Sequence, residues 1–144
     1  MRSLLDINVI IALLDADHTL HEKAHVWWAA NSQFGWASCA ISENGVVRIM
    51  ANPAYSKQTR FSPPDLIERL ELFASQTNHE FWPLEISLRD KNVFAVDRIL
   101  SSRSLTDLYL LATAAKHDGR LATFDQSISL SAVHIAKPVN LAVL

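Results

Sequence analysis

Short apolar segments alternate with stretches of helical periodicity, and this alternation constrains the fold more than any other feature. Five segments have the apolar character of strands: residues 2–5, 35–41, 81–84, 120–124 and 133–136. Strands separated by helices favour parallel pairing, because a crossover connection returns the chain to the edge where the first strand began. The sequence therefore predicts an α/β fold, a three-layer α/β/α sandwich with a central, mainly parallel sheet.

Helical patterns occupy most of the remaining chain. They cover residues 7–14, 18–30, a segment from 42 to the stop at Asn52-Pro53, 64–76, 88–100 and 105–117. Asp6 precedes the first helix and is suited to capping it, and Asp17 or Thr19 offers a cap for the second. Gly119 is suited to the left-handed conformation that ends many helices, here the one over 105–117.

Composition limits the classes of protein that need to be considered. The 144 residues are 49% hydrophobic, which predicts one domain over residues 1–144 with a single substantial core. A net charge of −2 argues against a protein that coats nucleic acid by bulk electrostatics. The lone Cys39 cannot form an intramolecular disulfide. The sequence shows neither a signal-peptide pattern nor an apolar stretch of membrane-spanning length, so we expect a cytoplasmic protein without a membrane partner.

Acidic residues recur where the predicted strands give way to helices or loops. They are Asp6, Glu43, Asp107 and Asp125. A parallel sheet gathers the carboxyl ends of its strands at one edge, so these distant positions can share one cleft. Carboxylate oxygens are the ligands that Mg²⁺ and Mn²⁺ prefer, and the pattern therefore predicts a divalent-metal site.

Each acid also has a structural interpretation. Asp6 could be a helix cap and nothing more. Glu43 and Asp107 could be placed in the first turn of a helix because the helix dipole favours an acid there. Asp125 can simply begin a turn after its strand. For the acid at position 6 the cap and ligand roles can coexist.

Two further residues are candidates for a supporting role. Asn8 follows Asp6 by two positions, and its amide either orients a ligand or water or is a structural feature of the first helical turn. Thr123 lies two residues before Asp125, so both point to the same face if the strand continues. Its hydroxyl is either an ordinary strand residue or the holder of a metal-bound water.

Four phrases of the sequence resemble those of PIN-domain ribonucleases, specifically the VapC-type toxins of type II toxin–antitoxin systems. They are LDINVI at positions 5–10, Ser42-Glu43, TDLYLLATA at 106–114 and TFD at 123–125. Their order, the 18-residue step between the last two acids and the chain length agree with that family. The resemblance covers nearly the whole chain.

This resemblance implies a PIN-like fold and a metal-dependent endoribonuclease activity. Asp6, Glu43, Asp107 and Asp125 would be catalytic, and Asp6, Asp107 and Asp125 would hold Mg²⁺ or Mn²⁺. It also implies an RNA substrate, with tRNA or rRNA expected, and products that carry a 5′-phosphate and a 3′-hydroxyl. Inhibition of translation, neutralisation by a VapB-type antitoxin and a homodimer are the remaining implications.

Other functions fit the sequence less well. A phosphoacceptor receiver domain needs a paired acid near the first strand, and a haloacid-dehalogenase-type hydrolase needs Asp-x-Asp where this chain has Asp6-Ile7-Asn8. His21 and His25 have zinc-ligand spacing but lack a third ligand. The non-enzymatic alternative is a catalytically inactive PIN-like scaffold that binds RNA or a protein partner, and the presence of all four acids argues against it.

Overall fold

The sheet has five strands, and every pair of neighbouring strands is parallel. The computed structural model describes all residues 1–144. The strands are β1 (Ser3–Leu5), β2 (Trp36–Ser38), β3 (His79–Phe81), β4 (Arg120–Thr123) and β5 (Leu141–Val143). Their order across the sheet is β3-β2-β1-β4-β5. The predicted parallel α/β sheet is confirmed.

Five α-helices flank this sheet. They are α1 (Ile7–Leu14), α2 (His21–Asn31), α3 (Ala40–Met50), α4 (Pro63–Ser75) and α5 (Leu105–Lys116). None of them is long and apolar enough to cross a lipid bilayer.

The pleat of β1 assigns successive side chains to opposite faces of the sheet and so creates two apolar cores, where a single core was predicted. Leu4 is in register with Ala37 and Leu121, and these three residues belong to the core beneath α5. Leu5 points to the other face, where it joins Trp36 in the core formed with α1 to α4. Helices therefore cover both faces, which confirms the three-layer α/β/α prediction.

The helix predicted over residues 88–100 is wrong. Most of this segment is irregular, with one 3₁₀ turn at Val96–Arg98. Phe94 forms an antiparallel bridge with Val133, which satisfies backbone groups that a helix would have used internally. The Asp90 side chain accepts the backbone N–H two residues ahead, a local hydrogen bond that competes with helix formation.

The strand predicted over residues 133–136 is also wrong. The fifth strand is β5, where Leu141 pairs with Leu121 of β4. The side chain of Val133 is buried in the core, and its backbone forms the isolated bridge with Phe94 and does not pair in the sheet. Both segments are short and apolar, so only the tertiary pairing separates them.

Several predicted boundaries and caps differ from the structure. Helix α2 begins three residues later than predicted, and its N-cap is Leu20, so neither Asp17 nor Thr19 caps it. Helix α3 begins at residue 40, and its Ser42 accepts a hydrogen bond from the Cys39 N–H at 2.9 Å. Strand β3 begins two residues before the predicted start at 81.

The packing just after α5 explains why position 119 is a glycine. The left-handed residue is Asp118, with φ 54°, so the prediction of that conformation for Gly119 is wrong. A Cβ on Gly119 would lie 2.5 Å from Trp82 Cη2 and 2.8 Å from the Arg2 carbonyl oxygen. Close packing at the start of β4, rather than backbone conformation, excludes a side chain here.

Candidate active site

Three of the four acids converge where the direction of the sheet's connections reverses. The chain leaves β1 toward β2 on one side, whereas β4 lies beside β1 on the other. Open parallel sheets bind ligands at such a switch point, beyond the carboxyl ends of the strands. Asp6 directly follows β1, Asp125 follows β4, and Asp107 lies in the first turn of α5.

Asp6 is held by two hydrogen bonds in a nearly closed environment. The Ile7 N–H donates to its Oδ1 at 2.7 Å, and the Thr123 hydroxyl donates to its Oδ2 at 2.7 Å. The residue is 6% exposed. Burial raises the pKa of Asp6, these two hydrogen bonds oppose the rise, and the charge of Asp125 adds to it. The predicted capping of α1 by Asp6 is confirmed.

Thr123 connects the acid after β1 to the acid after β4. Its buried hydroxyl donates to Asp6 and accepts the Asp125 backbone N–H at 3.1 Å. The Oδ1 of Asp125 accepts from the Ser127 N–H at 2.7 Å and from the Ser127 hydroxyl at 2.6 Å. These hydrogen bonds lower the pKa of Asp125 and keep it ionised. Ser127 was not predicted, and its offset of two residues from an acid in a turn was the signal for it.

Asp107 is the least compensated acid of the group. Burial raises its pKa to about 6, with further contributions from the negative charges of Asp6 and Asp125. The two ion pairs in the structure, Arg2–Glu80 and Lys116–Glu85, do not include any of these acids. Three carboxylates therefore share one negative field without a basic partner.

Glu43 belongs to a different hydrogen-bonded group. It lies in the first turn of α3, and the Ser38 hydroxyl oxygen is 2.5 Å from its Oε1. The same hydroxyl oxygen is 2.8 Å from Nε2 of His79 on β3. Burial lowers the pKa of His79, and the negative charge of Glu43 opposes this. Glu43 lies at the same edge of the sheet as the other acids but is not among the charges that perturb them.

Ser38 and His79 were not predicted as site residues. Ser38 fell inside a segment predicted to be an apolar strand, and His79 fell outside the predicted third strand. A polar residue near the end of a buried strand was the available signal for Ser38. The signal for His79 exists only in the parallel pairing of β2 with β3, which brings together residues 41 positions apart.

The other polar residues considered in the sequence lie outside this group. Asn8 is exposed on α1 and makes no side-chain hydrogen bond to the acids, so its supporting role stays a prediction. The His21 Nδ1 lies 2.7 Å from the Ala12 carbonyl oxygen, and the His25 Nε2 lies 3.1 Å from that of Leu13. Both imidazoles thus bind α2 to the end of α1.

Two clefts open on either side of the start of α5, and each contains an arginine. One, of about 210 Å³, is lined by Asp107, Asp125 and Arg103 among others. The second, of about 400 Å³, is lined by Thr106 and Arg48 among others. Asp107 and Asp125 thus form part of the wall of the first cleft, and Thr106, the neighbour of Asp107, lines the second. Neither arginine forms an ion pair.

The donor set suits a hard divalent cation. No three histidine, cysteine, aspartate or glutamate side chains are close enough together to coordinate one ion. Mg²⁺ does not require such a cage, because it retains several waters and is commonly bound through one or two carboxylates. Asp107 and Asp125 are close enough for a hydrogen bond between them, and all the donors are oxygens. The raised pKa of Asp107 reflects negative charge that no basic residue neutralises and that a bound cation would neutralise.

Comparisons with known proteins agree with this fold. Residues 3–133 match the PIN domain family. Ribonuclease VapC44 of Mycobacterium tuberculosis (strain ATCC 25618 / H37Rv) is 46% identical over 147 residues that cover 100% of both chains. Ribonuclease VapC39 of the same strain is 38% identical, over 92% of this chain and 94% of that protein. The crystal structure of VapBC2 from Rickettsia felis, bound to a DNA fragment from their promoter, has a TM-score of 0.53 at 14% identity, covering 88% and 90% of the two chains. The fold is thus shared with a chain of that solved structure.

Proposed function

Because this chain belongs to the PIN-domain family and, within it, to the VapC ribonucleases, we propose that it is a divalent-metal-dependent endoribonuclease that hydrolyses RNA phosphodiester bonds. The observation that carries the proposal is the convergence of Asp6, Asp107 and Asp125 at the switch point of the sheet without a basic partner. We treat residues 1–144 as one PIN-like domain, since both apolar cores pack on the same sheet.

The acidic group is the proposed site of Mg²⁺ or Mn²⁺. Asp107 and Asp125, which perturb each other's pKa, would hold the ion directly, and Asp6, the third predicted ligand, would contact it through one of the waters that the ion retains. A bound divalent ion would supply positive charge to a phosphate oxygen and lower the pKa of a water. Thr123 orients Asp6, and Ser127 holds Asp125 in its ionised form.

Glu43 would accept the proton of the attacking water. Its Oε1 is occupied by Ser38, which leaves Oε2 for this role. Attack by water on the phosphorus breaks the bond to the 3′ oxygen, which takes a proton from solvent, and leaves a 5′-phosphate and a 3′-hydroxyl. The exposed amide of Asn8, at the start of α1, is available to orient substrate or water.

The proposed substrate is RNA, with tRNA or rRNA the expected targets, and its cleavage would inhibit translation. Arg48 and Arg103 in the flanking clefts would contact the phosphates on either side of the cleaved bond. Such an activity must meet its substrate in the cytoplasm, where we expect this chain to act.

We propose a VapB-type antitoxin and a second copy of the chain as protein partners. A groove of about 770 Å³ lies between α3, α4 and β3, and the exposed apolar side chains of Ile67 and Phe81 line it. An exposed apolar patch on α2 and the end of β5, which contains Val26 and Val143, is available for a homodimer. Titration of the purified chain with its cognate antitoxin and measurement of its mass in solution test these two proposals.

The activity is tested by incubating wild type and variants with total tRNA and with rRNA in Mg²⁺, in Mn²⁺ and in EDTA, and mapping new 5′ ends. Asp6→Asn tests the buried acid, but it also alters the cap of α1. Asp107→Asn is the cleaner variant, because no donor in the structure depends on that side chain. Asp97→Asn removes the same charge from an exposed position without a side-chain hydrogen bond and serves as the matched control.

Cleavage by wild type and Asp97→Asn that is lost in EDTA and in both site variants is the expected result. Equal cleavage by all the proteins would indicate a contaminating nuclease. Folded wild type that binds RNA or antitoxin but cleaves no RNA in either metal would favour the inactive PIN-like scaffold.

A further inference from the structure

We propose that Ser38 and His79 are positioning residues for Glu43, and that a chain of two hydrogen bonds from the imidazole through the hydroxyl holds the carboxylate in its working orientation. Ser38 links the two, with its Oγ 2.5 Å from Glu43 Oε1 and 2.8 Å from His79 Nε2. The catalytic part of this inference rests on the proposed ribonuclease function. The hydrogen-bond chain itself can be tested without activity.

The number of available protons determines the direction of both hydrogen bonds. A serine hydroxyl has one proton, and an ionised carboxylate can only accept. The Ser38 hydroxyl must therefore donate to Glu43, and its oxygen is left to accept from His79. Consequently Nε2 of His79 carries a proton. In the opposite tautomer Nε2 would compete for the hydroxyl proton, and Glu43 would lose its hydrogen bond.

The Ser38 hydroxyl has two polar partners in the structure, Glu43 and His79. Its side chain is completely buried at the carboxyl end of β2, where it pairs with Phe81 of β3. The imidazole of His79 packs on the indole of Trp36, with 4.4 Å between the ring centroids. A buried hydroxyl held between two fixed elements has little rotational freedom, so its orientation depends on its two polar partners.

The charged groups around His79 come from four parts of the fold. Glu43 faces it from α3, Glu71 from α4, Glu80 from its own strand, and Arg2 from the residue before β1. Arg2 is itself paired with Glu80 at 3.2 Å. Glu43 is the acid that the imidazole reaches through a hydroxyl, so the orientation of this carboxylate depends on the imidazole.

Positioning is needed here because Glu43 lies on the rim of an open groove. The residue is half-buried, and without Ser38 its side chain would be free to sample several rotamers toward solvent. A catalytic group held in one orientation reacts faster than one that must be ordered during the reaction. Removing the hydrogen bond should therefore lower kcat and leave KM for RNA unchanged.

The experiment compares kcat and KM for Ser38→Ala, His79→Leu, His79→Gln and the Ser38→Ala/His79→Leu double variant, with Glu43→Gln as the reference. We expect kcat to fall about tenfold in Ser38→Ala, as is typical for loss of a residue that orients a ligating or catalytic group. His79→Leu should behave similarly, and the double variant should be no slower than Ser38→Ala. His79→Gln retains an N–H donor and should restore part of the rate.

Two outcomes would overturn the positioning role. One is multiplicative losses in the double variant, which would mean that the two residues act independently. The other is an unchanged kcat in folded Ser38→Ala or His79→Leu alongside a large loss in Glu43→Gln. A lower melting temperature with wild-type kcat would mean that the cluster has only a structural role. The His79 variants decide the question if Ser38→Ala does not fold.

A second measurement separates this inference from the proposed function. Nitrogen-15 NMR of the imidazoles in the metal-free wild type should show His79 with its proton on Nε2. In Ser38→Ala the preference for this tautomer should be lost. A proton on Nδ1 in the wild type would refute the hydrogen-bond chain even if the protein cleaves RNA. The Nε2–H form in a chain that cleaves no RNA would uphold the hydrogen-bond chain while the ribonuclease proposal fails.

Discussion

Replacing Asp107 with asparagine should stabilise the metal-free protein at neutral pH, although the proposed function requires the same change to abolish activity. The pKa of Asp107 is raised to about 6 because burial and two neighbouring carboxylates oppose its ionisation. At pH 7.5 the folded protein must nevertheless ionise this group, whereas the unfolded chain ionises it in water at little cost. Asparagine removes the charge and has nearly the same shape.

The magnitude follows from the displaced pKa. A rise from 3.8 to about 6 corresponds to roughly 3 kcal/mol of unfavourable interaction in the charged state. Asp107 is only half-buried, and solvent screening reduces this to about 1 kcal/mol. For a chain of this size, about 1 kcal/mol corresponds to roughly 3 °C in Tm.

The sign of the pH dependence is fixed by the direction of the shift. Since the folded pKa lies above the unfolded one, the contribution of Asp107 to stability is fully present below about pH 4 and is lost as pH rises through about 6. Asp107→Asn should therefore match wild type near pH 4 and exceed it at pH 7.5.

Thermal and urea unfolding in EDTA at both pH values measures this difference. Asp97→Asn, which alters an exposed acid away from the group, should show no such pH-dependent gain. A loss of stability in Asp107→Asn at pH 7.5, or the same difference from wild type at both pH values, would refute the electrostatic reasoning.

Three further predictions follow from the site. Mg²⁺ should raise the Tm of wild type but not of Asp107→Asn in a thermal-shift titration, because a ligand that binds only the folded state stabilises it; an unchanged wild type would contradict the metal site. Thr123→Val should lower the free energy of unfolding by about 2 kcal/mol in urea titrations, because it leaves a buried carboxylate oxygen of Asp6 without its donor. Recovery of the free energy of unfolding in Thr123→Ser would identify the hydroxyl as the cause. Arg48→Ala and Arg103→Ala should raise KM for RNA and each reduce the slope of log affinity against log salt by about 1, because each removes one phosphate contact. Arg89 is exposed and lines neither cleft, so the same effect in Arg89→Ala would show that only net charge matters.

Local sequence signals correctly predicted the positions of Asp6 and Asp107 in the fold. A short apolar run, an acid and a helical pattern placed Asp6 correctly at the junction of β1 and α1. The long apolar helix with one acid near its start identified α5 and Asp107. Each of these features is set by residues within about four positions of one another, where capping and periodicity act. Whether the four acids are catalytic stays a prediction.

The sequence by itself determined the alternation of strands and helices, the cap on α1 and the membership in the PIN-domain family. Only the tertiary structure decided that β5 rather than residues 133–136 completes the sheet, that residues 88–100 are not a helix, and that Glu43 turns toward Ser38 and His79. The physical reason is that backbone pairing and buried hydrogen bonds join residues far apart in the chain. Several segments could pair with the same backbone donors and acceptors, and which pairing forms depends on tertiary packing that no local pattern contains.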